Sequence, residues 1–183
     1  TYNPRNPVPT HGGAFLGPGT AIKQQNSIES RPDVLSYTSR PLAKDVEVTG
    51  YVRATLAVST DAASTDFTAK LVDVHPDGSA YNIADGILRR SYDTSNQPVS
   101  ITIQLGATSN VFKKDHRIRL DISSSNFPLF DRNPNTGKRI AYETHPVAAL
   151  QKIHQDISMP SFIELPVVSE KSGVPLIRFH EDP

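Results

Sequence analysis

Short runs of period-two hydrophobicity alternate along the chain with clusters of turn formers. Tyr51 to Ser59 is the clearest run: Val52, Ala54, Leu56 and Val58 fall on one side and Tyr51, Arg53 and Thr55 on the other, predicting a half-buried strand. The same pattern predicts strands at 34–38, 46–50 and 66–74. His75-Pro76-Asp77-Gly78 then reads as a hairpin turn, because Pro presets φ, Asp bonds locally and Gly accepts positive φ. The return strand covers 79–92, with Gly86 expected to mark a bulge or bend. After a loop at 93–98, residues 99–105 alternate, and 110–115 lead into a strand at 116–123 with Ile118, Leu120 and Ile122 inward. Residues 147–154 fit either a short helical turn or an edge strand, and 161–167 form a last strand. Eight or so antiparallel strands with long crossovers predict an all-β fold, a two-sheet β-sandwich of jelly-roll type.

Two irregular stretches stand apart. Ser123 to Gly137 ends a strand in three serines, pins Phe127 and Phe130 around Pro128, and continues through Asp131, Asn133 and Asn135, which bond their own backbone in turns. Residues 1–33 carry five prolines and four glycines and hold no sustained period, so they read as an N-terminal arm or linker. Within the arm, His11-Gly12-Gly13-Ala14-Phe15-Leu16-Gly17 sets an aromatic and a leucine between glycines, where they want a surface to pack on. This divides the chain into an arm (1–33), a sandwich (34–168) and a C-terminal tail (169–183).

Composition narrows the function classes. Nineteen basic and 19 acidic residues balance to zero net charge, which argues against a nucleic-acid or anionic-membrane partner. The chain has no cysteine, which excludes disulfides, thiolate nucleophiles and thiolate zinc sites. No run of 18 apolar residues and no signal-like start is found, so neither a membrane span nor a signal peptide is expected, and the expectation tips toward the cytoplasm.

Motifs for chemistry are sparse. No Gly-x-Ser-x-Gly elbow, Walker loop, Gly-x-Gly-x-x-Gly or His-Glu-x-x-His occurs. Six histidines (His11, His75, His116, His145, His154, His180) lack metal-ligand spacing, so no metal and no cofactor are expected, and no catalytic histidine. Asp131-x-Asn133-x-Asn135 opens like a calcium loop, but Gly137 comes one position late, Pro134 intrudes and Tyr142 stands where Glu belongs. A self-bonded turn is the better reading. A free-standing carbohydrate- or ligand-binding jelly roll is the alternative function, although the chain has no Trp for a stacking platform.

Several segments together carry a resemblance. Tyr2-Asn3-Pro4-x-x-Pro7-Val8-Pro9-Thr10-x-Gly12-Gly13, Arg31-Pro32-Asp33-Val34-Leu35, Thr65 to Gly78 with its Pro-Asp-Gly, Asn82-Ile83-Ala84-Asp85-Gly86-Ile87, His116-Arg117-Ile118-Arg119-Leu120 and Ser123 to Gly137 occur in this order. Over about residues 2–168 the chain resembles the C-terminal domain of the X-Pro dipeptidyl-peptidase and cocaine-esterase-like serine hydrolases. The resemblance implies a non-catalytic, galactose-binding-domain-like jelly roll attached to an upstream α/β-hydrolase catalytic domain that holds the Ser, Asp and His of the triad. No catalytic residue carries over to this chain. Phe15 and Leu16 are then expected to edge the substrate pocket, while His11, Gly12, Gly13, Asn126, Phe127, Pro128, Asp131, Arg132, Asn133 and Asn135 are expected to face the catalytic domain. A domain separated from that partner exposes an apolar face able to pair with a second copy as a homodimer.

Overall fold

The structure, a computed structural model, describes residues 1–92, 96–168 and 176–177. Among the described residues nine strands form two antiparallel sheets that face each other as the expected sandwich. The first sheet is ordered β1 (Leu35–Thr38), β6 (Arg117–Ser123), β3 (Ser64–Val74), β4 (Ala80–Ser91). The second is ordered β5 (Val99–Phe112), β2 (Val46–Thr60), β8 (Phe162–Glu164), β9 (Leu176–Ile177), with β7 (Gln151–His154) also pairing β2. Phe67, Leu71, Ile103, Phe112, Ile118 and Ile163 fill the space between the sheets and are almost fully buried. Among the described residues no helix is long and apolar enough to cross a membrane.

Several expected elements shift. The runs at 46–50 and 51–59 are one strand, β2, and those at 99–105 and 110–115 merge into β5, which ends at Phe112. The apparent gap in β5 is a bulge: Val52 pairs Gly106 while Arg53 pairs Gln104, leaving Leu105 as the extra residue. Gly106 takes φ 85°, and the inward positions switch from odd to even numbers there, which breaks the sequence period without breaking the strand. Gly86 is not itself the bulge in β4. That irregularity falls at Ile83, between the Leu71–Ala84 and Val72–Asn82 pairs. Gly86 instead marks a close approach, since a Cβ there would collide with the Gln104 carbonyl of β5. The ambiguous stretch at 147–154 resolves as the edge strand β7. The Pro-Asp-Gly turn joins β3 to β4, with the Gly78 N–H donating to the His75 carbonyl at 2.9 Å. Residues 93–95 of the expected loop at 93–98, and all of the expected tail at 169–183 except 176–177, lie outside the described residues.

The outer face of the first sheet is polar where a core would be apolar. Asp121 pairs Lys70, and Lys70 pairs Asp85, so an acid, a base and an acid lie in one row across β6, β3 and β4. The arm covers this row: Val8, Ile28 and Val34 form a small apolar cluster beside it, and Gln25 is fully buried. Gln25 precedes the short helix α1 (Asn26–Glu29) and accepts a hydrogen bond from Lys70 Nζ at 2.7 Å. Its own Nε2 donates to the carbonyls of His11 and Lys23 and to Asn82 Oδ1. Burial lowers the Lys70 ammonium pKa and raises that of the Asp85 carboxyl. Burial also pushes Asp121 up to about 7, against the hydrogen bond from Ser36 Oγ.

Two measurements follow from this packing. Gly86→Ala is expected to destabilise by about 1–3 kcal/mol or more, because the carbonyl it meets is backbone and cannot swing away; a urea midpoint equal to that of the parent sequence contradicts the close approach. Asp121 retains its proton in the folded state up to about pH 7, whereas the unfolded chain gives it up near the ordinary carboxyl value of about 4. The contribution of this group to stability therefore falls as pH rises from about 4 to 7. Unfolding free energies across that range should fall less steeply in Asp121→Asn than in the parent sequence, and parallel curves count against the buried-acid assignment.

Candidate functional site

The arm and the Ser123–Gly137 loop meet edge to edge. Ser125 Oγ accepts the Val8 N–H at 2.8 Å, Phe127 N–H donates to the Val8 carbonyl at 2.9 Å, and Thr10 N–H donates to the Phe127 carbonyl at 2.6 Å. Leu129 N–H closes the ladder on Thr10 Oγ1 at 3.0 Å. This pairing is parallel around Pro9 and Phe127, and the Phe127–Pro128 peptide is cis. Asn126 reaches the other way, its Nδ2 donating to Asp85 Oδ2 at 3.0 Å. The loop is therefore stitched both to the arm and to the polar row beneath it.

The second half of the loop is fastened to β3 and β4 by a buried carboxylate. Asp66 is 1 % exposed and receives a bidentate guanidinium from Arg89, at 2.8 Å from Nε and 2.7 Å from Nη2. Asn133 Nδ2 adds a third donor to Asp66 at 2.7 Å, and Arg89 Nη2 also donates to the Asp131 carbonyl. Asn133 Oδ1 accepts the Asn135 N–H at 3.0 Å, which is the local turn the sequence suggests. Asn135 accepts from Thr65 Oγ1 and donates to the Val147 carbonyl. Tyr2 OH donates to the Asn133 carbonyl, and burial, reinforced by Asp66, raises the Tyr2 pKa.

These bonds sort the expected contact residues. Asn126, Asn133 and Asn135 are 6 %, 2 % and 2 % exposed, so their side chains shape the loop from inside rather than forming its outer surface. Gly12 is also buried, with φ 76° and no room for a Cβ beside the Ala21 carbonyl and Asn82 Oδ1. The outer surface belongs to His11, Phe127, Pro128, Asp131 and Arg132. Arg132 lies 5.4 Å from the centre of the Phe127 ring, a cation–π distance, and donates to the Pro4 carbonyl. Next to these, Gly13 and Ala21 pair across a small loop braced by Thr20 Oγ1 on the Gly13 carbonyl. Phe15 leans over Gly13 and Gly17 and is half-buried, whereas Leu16 is fully exposed at the loop's end.

Ile22 and Ile157 are further exposed apolar side chains that the sequence pattern did not single out, because each sits in a segment without a period, and Tyr142 is exposed as well. Folding also gathers Asp73, His75 and His116, whose donor atoms lie within 4.8 Å of one another. Linear spacing hides this group, since His116 stands on a different strand from the Asp73-x-His75 pair; the register of β3 on β6 is what discloses it. Among the described residues one serine–histidine pair occurs, Ser59 Oγ to His154 Nε2 at 2.9 Å, but Ser59 is 1 % exposed and the pair ties β7 to β2.

Comparison with known proteins agrees with this architecture. The family model for the X-Pro dipeptidyl-peptidase C-terminal non-catalytic domain matches residues 2–164. The cocaine esterase of Rhodococcus sp. (strain MB1 Bresler) is 45 % identical over 184 residues, covering 91 % of this chain and 31 % of that protein. Among solved structures, an α-amino acid ester hydrolase superposes with a TM-score of 0.78 at 28 % identity, covering 91 % of this chain and 31 % of that one. An aminopeptidase from a marine sediment Thaumarchaeota archaeon gives 0.80 at 27 % identity, with 91 % and 32 % covered. The chain thus spans about a third of the length of the relatives it matches. With the two-sheet sandwich and the match over nearly its whole described length, the chain belongs to the family of X-Pro dipeptidyl-peptidase C-terminal non-catalytic domains.

Proposed function

We propose that this domain, its sandwich at 34–168 and its arm at 1–33, supports an upstream α/β-hydrolase catalytic domain of the same protein and borders that domain's substrate pocket with Phe15 and Leu16. The observation that carries the reading is Leu16: an apolar side chain left wholly in water on a loop braced at both ends by hydrogen bonds. Burying a leucine is worth about 1.5–3 kcal/mol, so a loop held in this form with its leucine outward is built for a partner surface. Phe127, Pro128, Asp131 and Arg132 extend the same contact from the neighbouring loop.

The parent reaction is hydrolysis of an ester or amide through an acyl-enzyme: a serine attacks the carbonyl, histidine moves the proton, and an oxyanion hole holds the charge. All of those groups would reside in the catalytic domain. The relatives named as a cocaine esterase and an α-amino acid ester hydrolase point to an ester substrate, and the one named an aminopeptidase points to a peptide. This domain's share is positional, since rigid placement of a pocket wall excludes water and orients the acyl group. A stand-alone ligand-binding module is less well supported. The groove between Phe127, Arg132, Ile140 and Glu143 holds about 200 Å³, below the roughly 300–1,000 Å³ typical of ligand sites.

In the full-length hydrolase, Phe15→Ala is expected to raise KM, and Leu16→Asp to lower Tm by loosening the domain contact. A loss of about 1–2 kcal/mol in substrate binding corresponds to roughly a 5- to 30-fold rise in KM. If both variants keep the KM and Tm of the parent sequence, the pocket-edge assignment is wrong. The 183-residue chain alone should show no turnover of p-nitrophenyl esters.

A further inference from the structure

At one end of the sandwich the core-facing rows of two strands run out of apolar residues and end in metal-binding ones. Leu71, Asp73 and His75 alternate along β3 and beyond its end, and Ile118 and His116 do the same at the start of β6. Leu71 and Ile118 belong to the buried core. Because the bulge inserts its extra residue in β4, the alternation of β3 is unbroken, and Asp73 and His75 project on the same face as Leu71. Val74 pairs Arg117, so one residue further His75 lies opposite His116. Asp73 Oδ1 stands 2.9 Å from His116 Nδ1, Asp73 Oδ2 stands 3.8 Å from His75 Nε2, and all three donor atoms fall within 4.8 Å.

We propose that Asp73, His75 and His116 form a binding site for a first-row divalent transition ion, with Zn²⁺ the ion that suits the donor set best. Two imidazoles and one carboxylate are typical Zn²⁺ ligands. Tetrahedral coordination with bonds near 2.0–2.1 Å sets donors about 3.3–3.4 Å apart, and one donor atom from each of the three residues already lies within 4.8 Å of the other two. Charge points the same way. The Asp73 side chain is only 10 % exposed and both of its oxygens face imidazoles. The two rings lie 4.3 Å apart, which brings both imidazoles to the same carboxylate. A single dication satisfies all three donors at once. His75, beside the Tyr81 ring and 39 % exposed, can adjust its reach, and its solvent side leaves a fourth position for water. The ion would clamp the β3–β4 turn to the start of β6, a structural role separate from the proposed pocket edge.

The test uses chelator-treated full-length protein titrated with Zn²⁺ by calorimetry, alongside His75→Ala, the size-conserving His75→Gln, and His145→Ala as a control on an exposed histidine elsewhere. The expected result is one saturable Zn²⁺ per chain at micromolar affinity or tighter, unchanged in His145→Ala and weakened by about tenfold or more in both His75 variants. Co²⁺ in place of Zn²⁺ should give the visible d–d absorption of a tetrahedral site, lost in the same two variants. Circular dichroism confirms that each variant is folded, and His75→Gln decides the matter where His75→Ala is not. Binding no tighter than millimolar, or affinity and Co²⁺ absorption that are equal with and without His75, overturns the proposal and leaves the group as an Asp–His hydrogen bond only.

Discussion

The hydrogen bond from Lys70 to Gln25 governs how this domain presents its surface. Lys70 sits in a central strand between two acidic side chains, and burial of that polar row is costly unless every member finds a partner. The arm supplies the closure. Gln25 takes the ammonium on one end of its amide and hands the other to His11, Lys23 and Asn82, so one buried side chain links the sheet to both flanks of the Gly12–Ala21 loop. The arm is therefore part of the folded unit, and the position of Leu16 follows from a polar cluster well beneath it.

Asp66 performs the matching task for the second loop. Its carboxylate collects Arg89 and Asn133 while buried, and Asn133 in turn holds Asn135 and receives Tyr2 on its carbonyl. Removing one partner would leave a buried charge under-satisfied, which costs more than the bond itself is worth. Both loops are thus held from below by charged groups of β3, Lys70 under one and Asp66 under the other, while Leu16 and Phe127 stay exposed. A rigid underside with an apolar outer face is the arrangement a domain interface requires, and it gives the proposed pocket wall a fixed place.

The strands were largely legible in the sequence, because half-buried alternation has one physical cause. Val52, Ala54, Leu56 and Val58 could not sit otherwise than on one face. Legibility failed where geometry was non-local. The bulge at Leu105 and Gly106 reverses the period and made one strand look like two. Gly86 is small because another strand passes over it, a fact no local window contains. Asn133 and Asn135 resembled surface contacts, since turn formers usually lie outside, yet a carboxylate on β3 draws them in. The Ser123–Gly137 loop was recognisable as an organising feature, but its pairing with the arm was not, since the partners stand more than a hundred residues apart. The Asp73, His75 and His116 group escaped notice for the same reason, because register alone unites it.

The central claim is that the Gly13–Ile22 loop and the Phe127–Arg132 surface are covered by a catalytic domain. Amide hydrogen exchange compared between the 183-residue chain and the full-length hydrolase tests it most directly. The account predicts slower exchange in the full-length protein at 13–22 and 127–132, with the amides of β3 and β6 unchanged. Equal exchange at those two segments in both forms would contradict it.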